Sequence, residues 1–285
     1  MVKIKKYFRF YFILFLFACV VLVWYAVFAE GRSGLEVYFL DVGQGDAIFV
    51  QAENGNQMLI DAGPNKNVLR QLAGAMPFYD RTIDVVLATH PDLDHIGGLP
   101  EVFGRYKVDL VIEPGMVADS GEYLAFDKAV EEAGAKRIFA RRGMKINLSD
   151  EVYLLILFPN VDVSSWSAND ASIIAKLVYG NTSFLLMGDS PQKIEKYLVS
   201  LDKENLDVDV LKVGHHGSKT SSSEIFVGYA SPEYAIISVG ADNRYGHPHQ
   251  EVLDILNKFG VQILRTDENG TVKIKSDGQK VFVNF

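Results

Sequence analysis

The 285 residues, 48% of them apolar, can bury a sizeable core as one large domain or two small ones. Lys+Arg 28 against Asp+Glu 36 gives −8, and without Lys3, Lys5, Lys6 and Arg9 the remainder stands near −12, which argues against a general polyanion binder. The single cysteine, Cys19, excludes an intrachain disulfide and a Cys-based metal site.

Residues 10–29 carry no charge, and at about 1.5 Å per helical residue they span roughly 30 Å, a hydrocarbon core. The basic cluster ahead of this run predicts a cell-membrane anchor with a cytoplasmic N-terminus and an extracytoplasmic domain. Val27-Phe28-Ala29 before Glu30 leaves a cleaved signal segment, and hence a secreted chain, as the alternative. Residues 1–30 are thus read as basic stub and anchor, and 31–285 as the working domain, entered through the polar joint Glu30-Gly31-Arg32-Ser33-Gly34.

β-rich runs come first, at 35–40, 47–51 and 57–60, the last two meeting across Glu53-Asn54-Gly55-Asn56, where Asn-Gly is a strong hairpin signal. Strand and helix then alternate: a buried strand over 83–88, a short helix over 99–106, a strand over 108–112, and an amphipathic helix over 122–133 stopped by Gly134. A second hairpin, 172–178 with 183–187, turns at Gly180-Asn181. A strand over 208–213 leads to a helix over 223–230, where Ser221-x-x-Glu224 makes a capping box. A strand over 234–239, a helix over 250–259 and three closing strands follow. Hairpins, β–α alternation, then the same order again predict two mixed sheets face to face with helices outside. Gly43-Gln44-Gly45 lacks the Lys-Ser/Thr ending and the helix of a phosphate loop and reads as a tight turn.

All six histidines fall in three short segments, each after an apolar strand, and loops at strand carboxyl ends are where α/β sheets place ligands. Thr89-His90-Pro91-Asp92-Leu93-Asp94-His95 puts four potential ligands in six residues. If that loop is extended, His90 and Asp92 can grip one divalent ion while Asp94 and His95 turn toward a second; Pro91 favours the extension. A helix-capping Asp94 would account for only one of the four. Asp189 ends an apolar run, where a carboxylate is costly without a cation; a bridging ligand meets that need, and a turn aspartate before Pro191 is the plain alternative. Asp61, after Met58-Leu59-Ile60, is expected to orient the metal loop through hydrogen bonds. In His215-His216 adjacent side chains are expected to point apart, one toward metal and one toward substrate. Ser218, Lys219 and Thr220 then offer donors and positive charge to an anion. His247, among Asn243, Tyr245, Gly246 and Pro248, is a better functional candidate than His249 at a helix start.

In this order, these segments resemble the metallo-β-lactamase fold superfamily, and more closely the hydrolase domain at the C-terminal end of ComEC competence proteins. The matching residues are Phe39-Leu40-Asp41-Val42-Gly43-Gln44-Gly45-Asp46, the His90–His95 loop, Asn169-Asp170-Ala171-Ser172, Gly188-Asp189, His215-His216-Gly217-Ser218 and Tyr245-Gly246-His247-Pro248, so the similarity covers about residues 35–285. It implies an α/β fold, a four-layer αββα sandwich of two mixed β-sheets behind one transmembrane helix, with two divalent ions, Zn²⁺ and/or Mn²⁺. By resemblance His90, Asp92 and Asp189 hold one ion, and Asp94, His95, Asp189 and His216 the other. Asp94, His215 and His247 then serve catalysis, Asn243 joins Ser218, Lys219 and Thr220 at the phosphate, and Asp46 and Asn169 join Asp61 in supporting the ligands. Two departures stand out: Asp92 replaces the usual histidine of the first loop, and Asn169-Asp170 occupy the stretch of the missing third metal histidine. One ion thereby gains oxygen donors, which favours a harder ion such as Mn²⁺.

The activity implied is a metal-dependent phosphodiesterase or nuclease acting on DNA. A cell-wall phosphoester hydrolase of the phosphorylcholine-esterase kind, or a hydrolase of another ester or amide, is the enzymatic alternative. A surface DNA-binding module is the non-enzymatic one. ComEC proteins add a many-helix channel, so a chain with one apolar span is expected to supply the cutting part and to work beside a separate DNA-uptake channel protein.

Overall fold

A computed structural model describes residues 2–29 and 34–284. The chain divides into two units, Met1–Ser33 and Gly34–Phe285. The first holds a helix, Val2–Ala29, whose segment Tyr7–Tyr25 has a mean hydropathy of 2.2, long and apolar enough to cross a membrane. The joint at 30–33 and the side chains of 27–29 lie outside the described residues.

In the second unit the strands are β1 (Leu35–Phe39), β2 (Ile48–Gln51), β3 (Gln57–Ile60), β4 (Thr82–Leu87), β5 (Lys107–Glu113), β6 (Lys136–Phe139), β7 (Lys145–Asn147) and β8 (Val152–Phe158). They continue with β9 (Ile174–Tyr179), β10 (Thr182–Leu186), β11 (Val210–Lys212), β12 (Tyr234–Ile237), β13 (Gln262–Arg265), β14 (Val272–Ser276) and β15 (Val281–Asn284). Among the described residues they form two mixed sheets, ordered β15-β14-β1-β2-β3-β4-β5-β6 and β13-β12-β11-β10-β9-β8-β7. In each, an antiparallel half joins a parallel half: β3 to β6 run parallel in the first, β10 to β13 in the second.

Period-two alternation sorts the side chains into layers. Val50, Met58 and Ile60 of one sheet meet Leu154, Ile156, Phe184 and Leu186 of the other in a shared core. Phe49, Leu59 and Val86 face the other way, onto Val68 and Leu72 of the helix Asn67–Ala75 and Phe126 and Val130 of the helix Gly121–Ala133. Leu185 and Leu211 likewise face Leu198 of the helix Gln192–Asp202, Phe226 of Glu224–Ala230 and Leu256 of Gln250–Lys258. The αββα sandwich is therefore as expected from the sequence. Coverage on both faces explains why β2, β3 and β10 are buried throughout and read as continuous apolar runs.

Several local expectations change. The three closing strands divide between the sheets, β13 beside β12 and β14 beside β1. The helix at 99 ends at Phe103, before Gly104. The capping box at Ser221 does not form: the Ser221 hydroxyl donates to the carbonyls of Gly214 and Ser218 at 2.7 and 2.9 Å. The helix Glu224–Ala230 starts from Ser223 instead, and the buried Glu195 accepts from the Ser223 amide and hydroxyl, both at 2.8 Å, and from the Ser222 amide. That carboxylate, from the helix Gln192–Asp202 that the sequence did not suggest, satisfies the amides of the N-cap residue and of the residue before it.

Candidate metal centre

The carboxyl ends of the parallel strands of both sheets converge on one cluster. β3 delivers Asp61, β4 the loop from Thr89, β10 Asp189, β11 the 214–217 turn and β12 Ser238. After an extended Asp92, Leu93–Ile96 forms a single helical turn, which carries Asp94 and His95 inward.

Asp61 locks this loop. Its carboxylate accepts the Thr89 amide at 2.8 Å, the Thr89 hydroxyl at 2.7 Å and His95 Nδ1 at 2.7 Å. With its proton given to Asp61, the Thr89 oxygen accepts from His90 Nδ1 at 3.0 Å. His216 Nδ1 donates to the Ser238 carbonyl at 2.9 Å, with an Asp46 oxygen 3.3 Å away. The network thus assigns the proton to Nδ1 on all three rings, leaving each Nε2 with a free lone pair.

Those three lone pairs meet at Asp189. His95 Nε2 lies 3.3 Å and His216 Nε2 3.6 Å from its Oδ1, and His90 Nε2 3.9 Å from its Oδ2. Asp94 stands 3.3 Å from His216 Nε2. The Nε2 atoms of His90, His95 and His216 and Oδ1 of Asp189 are all buried without a hydrogen-bond partner. Buried polar atoms are rarely orphaned, and four at one point, all lone-pair donors, fit divalent cations. Two overlapping triads, His90–His95–Asp189 and Asp94–His95–His216, have ligand atoms close enough to hold an ion.

The electrostatics agree. Burial alone would push the Asp189 carboxyl up, but His216, His95 and His90 hold it well below the usual range. Burial lowers His216, yet Asp189, Asp46 and Asp94 outweigh it and push the imidazole up to about 10. Carboxylates that hold protons on buried imidazoles favour a divalent cation in the protons' place.

The remaining sequence candidates lie around this centre. Asp92, half-exposed, approaches His90 Nε2 at 3.6 Å, beside the buried group His90, His95 and Asp189. His215 and His216 do not point apart. Both are left-handed, with φ of 48° and 52°, and His215 Nε2 also reaches Asp189, 3.6 Å from Oδ2. Behind it, Thr220 Oγ1 meets His215 Nδ1 at 3.2 Å and Ser218 Oγ at 3.0 Å. His247 sits 5.6 Å from the His215 ring; burial and the neighbouring histidines push it down to about 4. Asn243 does not offer free donors: its amide bridges the carbonyls of Gly240 and His247 and accepts the His247 amide at 2.9 Å, pinning that loop. Lys219 is exposed, and its backbone amide meets His249 Nδ1 at 3.3 Å. Asn169 contributes its backbone carbonyl to the Ser172 amide at 3.3 Å.

Sequence reasoning missed Lys212. It is fully buried, 2.8 Å from Asp46 and 3.0 Å from the Val213 carbonyl, and so backs the carboxylate that faces His216. A lysine inside Val210-Leu211-Lys212-Val213 was the available signal. The Gly43–Gly45 turn packs against the same region: a Cβ on Gly45 would strike the Asp94 carbonyl, and one on Gly240 would lie 2.7 Å from the Gln44 amide. It is a tight turn, as expected.

A family model of the metallo-beta-lactamase superfamily matches residues 40–241. The chain is 33% identical over 282 residues to ComE operon protein 3 of Bacillus subtilis (strain 168), covering 93% of this chain and 34% of that protein. It is 31% identical over 248 residues to Competence protein ComA of Neisseria gonorrhoeae, covering 86% and 32%. It therefore spans about a third of the length of these curated relatives. Among solved structures, CmlA, a diiron beta-hydroxylase from Streptomyces venezuelae, superposes with a TM-score of 0.56 at 14% identity over 86% of this chain and 54% of that one, a likeness of fold. With the sandwich, the ligand cluster and these matches in agreement, the chain belongs to the metallo-β-lactamase superfamily, among relatives named as competence proteins.

Proposed function

We propose that this protein is a metal-dependent phosphodiesterase acting on nucleic acid, held at the cell membrane by its N-terminal helix with residues 31–285 outside. The observation that carries the reading is the convergence of three imidazole lone pairs and one carboxylate oxygen, all buried and unpartnered. His90, Asp92 and Asp189 would hold one divalent ion, and Asp94, His95, Asp189 and His216 the second. Oxygen-rich donors suit Mn²⁺ as well as Zn²⁺. When bound, such a pair lowers the pKa of water and polarises the phosphoryl oxygens.

The chain's own groups do the rest. Asp61 and Asp46 fix the orientation of His95 and His216 from behind, so the site is formed before substrate arrives. His215, partly exposed and backed by Thr220, faces the open side and can donate to a phosphate oxygen, with His247 beside it. Lys219 supplies an exposed positive charge at the rim. The relatives' competence names support DNA as the polymer and a DNA-uptake channel protein as the partner.

The test is metal analysis of the full chain together with a panel of single- and double-stranded DNA, bis-p-nitrophenyl phosphate, a phosphorylcholine ester and nitrocefin. Metal-dependent cleavage of DNA and of bis-p-nitrophenyl phosphate is expected. Cleavage of the phosphorylcholine ester alone would assign a cell-wall substrate, and DNA binding without metal or turnover would leave a binding module. External protease should reach the domain in intact cells once any outer barrier is opened; protection would reverse the orientation.

A further inference from the structure

Far from the metal cluster, at the opposite ends of the same strands, lies a recess of about 280 Å³. β4 runs about 20 Å from this end to the loop of His90, at roughly 3.3 Å per residue. Three arginines from three separate elements line the recess: Arg70 from the helix Asn67–Ala75, Arg81 just before β4 and Arg105 just before β5. All three are exposed. Among the described residues none of them has a carboxylate within ion-pair distance; Arg81 donates only to the Asp80 carbonyl, at 2.7 Å. The Asp80 carboxylate itself turns to Thr82 and Gln57. In a domain with a large excess of carboxylates, three unpaired guanidinium groups around one recess form a local reversal of charge.

Phe78 lines this recess, 85% exposed, and the neighbouring Tyr79, 63% exposed, meets its ring edge to face at 5.4 Å. Two adjacent exposed aromatics make a contiguous apolar patch, the kind of surface that marks a contact site. Flat apolar rings beside cations that fit phosphate geometry match one ligand chemistry, stacked bases on a phosphate backbone. The three cations surround a recess instead of a flat face, which admits a slender, flexible chain.

We propose that this recess is a second nucleic-acid contact, which takes single-stranded DNA or RNA by stacking on Phe78 and Tyr79 and pairing phosphates with Arg70, Arg81 and Arg105. It deepens the phosphodiesterase reading, on which its purpose rests, by holding a single strand away from the site that cuts it. It also supplies the locally placed cations that an acidic domain needs in order to meet a polyanion.

The experiment uses the full chain in detergent micelles with EDTA present, so that binding is read without cleavage. Anisotropy of a fluorescent dT12 probe should show a salt-dependent affinity. The double variant F78A/Y79A should weaken it by roughly 5- to 150-fold for each stacked base lost. The triple variant R70A/R81A/R105A should reduce the slope of log affinity against log salt by about 2, at about 0.7 per phosphate contact on a single strand. Both variants should melt like wild type, since all five side chains are exposed. Wild-type affinity and slope in both variants would overturn the proposal, and so would binding of anionic phosphatidylglycerol vesicles through these residues with no binding of dT12. Metal-loaded hydrolysis of bis-p-nitrophenyl phosphate, too small to need the recess, tests the catalytic reading separately and should be unchanged in F78A/Y79A.

Discussion

Replacing Lys212 by Met removes one member of a fully buried ion pair while keeping the side-chain volume nearly constant. In the wild type the ammonium lies 2.8 Å from Asp46 and 3.0 Å from the Val213 carbonyl, with no exposure to solvent. Burial would raise the Asp46 carboxyl, and Lys212 is the largest influence holding it well below the usual range. The variant leaves that carboxylate buried without its cation, a change that costs about 3–5 kcal/mol. His216 remains 3.3 Å from the other Asp46 oxygen and compensates in part, so a loss near 3 kcal/mol is expected. For a unit of this size, about 2–4 °C per kcal/mol converts this to a fall in Tm of roughly 6–12 °C.

The assay is a double-mutant cycle read by thermal denaturation and by bound metal. K212M/D46N removes both charges and should recover much of the lost stability, because the penalty comes from the orphaned carboxylate rather than from lost attraction. Metal affinity should stay reduced in the double variant, since His216 has lost its ionised neighbour. Stability of K212M equal to wild type, or strictly additive losses across the cycle, would refute this account of Lys212.

Asp189→Ala should lose more metal than any other single substitution, because its oxygens face both triads; Asp61→Asn should weaken binding by roughly 10–100-fold, as read by competition with a chelator. His216→Ala should lose one ion and its activity, whereas His215→Ala should keep both ions and lose roughly 10²–10³ in kcat, so reversed metal contents would exchange the roles. Glu113, buried beside Arg137, is pushed up to about 6 chiefly by burial, above its unfolded value. Its contribution to stability is therefore present below about pH 4.5 and is lost as pH rises through about 6, a change of about 2 kcal/mol. Glu113→Gln should flatten that part of the stability profile, and an unchanged profile would remove the assignment.

The strands that position the site were legible because parallel strands covered on both faces read as continuous apolar runs, as at 57–60, 83–88 and 183–187. Each is also followed within two residues by a buried polar side chain, Asp61, Thr89 or Asp189, which is costly in a core unless it binds something. The supporting network was harder to see. Lys212 meets Asp46 only when β11 and the turn after β1 come together from distant parts of the chain, and a lone lysine in a strand looks like a surface residue. Ser221-x-x-Glu224 has the spacing of a capping box, but the chain coils back and gives the Ser221 hydroxyl to Gly214 and Ser218. Glu195, which takes over the capping, belongs to a different helix and leaves no local trace.

The least legible feature is the backbone of the histidine pair, and it bears most directly on chemistry. His215, His216 and Gly217 are left-handed in succession, with φ of 48°, 52° and 80°. Left-handed backbone costs a residue with a Cβ roughly 1–2 kcal/mol, so two histidines held there need a compensating gain. Gly217 has no such penalty, and it has no room either: a Cβ would lie 2.6 Å from Pro248, in the loop that carries His247. An extended backbone would send neighbouring side chains to opposite faces, leaving one imidazole pointing away from Asp189. The left-handed turn instead brings both rings to that carboxylate on different oxygens, their planes 73° apart. One ring is then fixed from behind by Ser238 and buried; the other, backed by Thr220, stays partly open to solvent. The strain separates a fixed imidazole from an accessible one within two consecutive residues, which regular secondary structure does not allow.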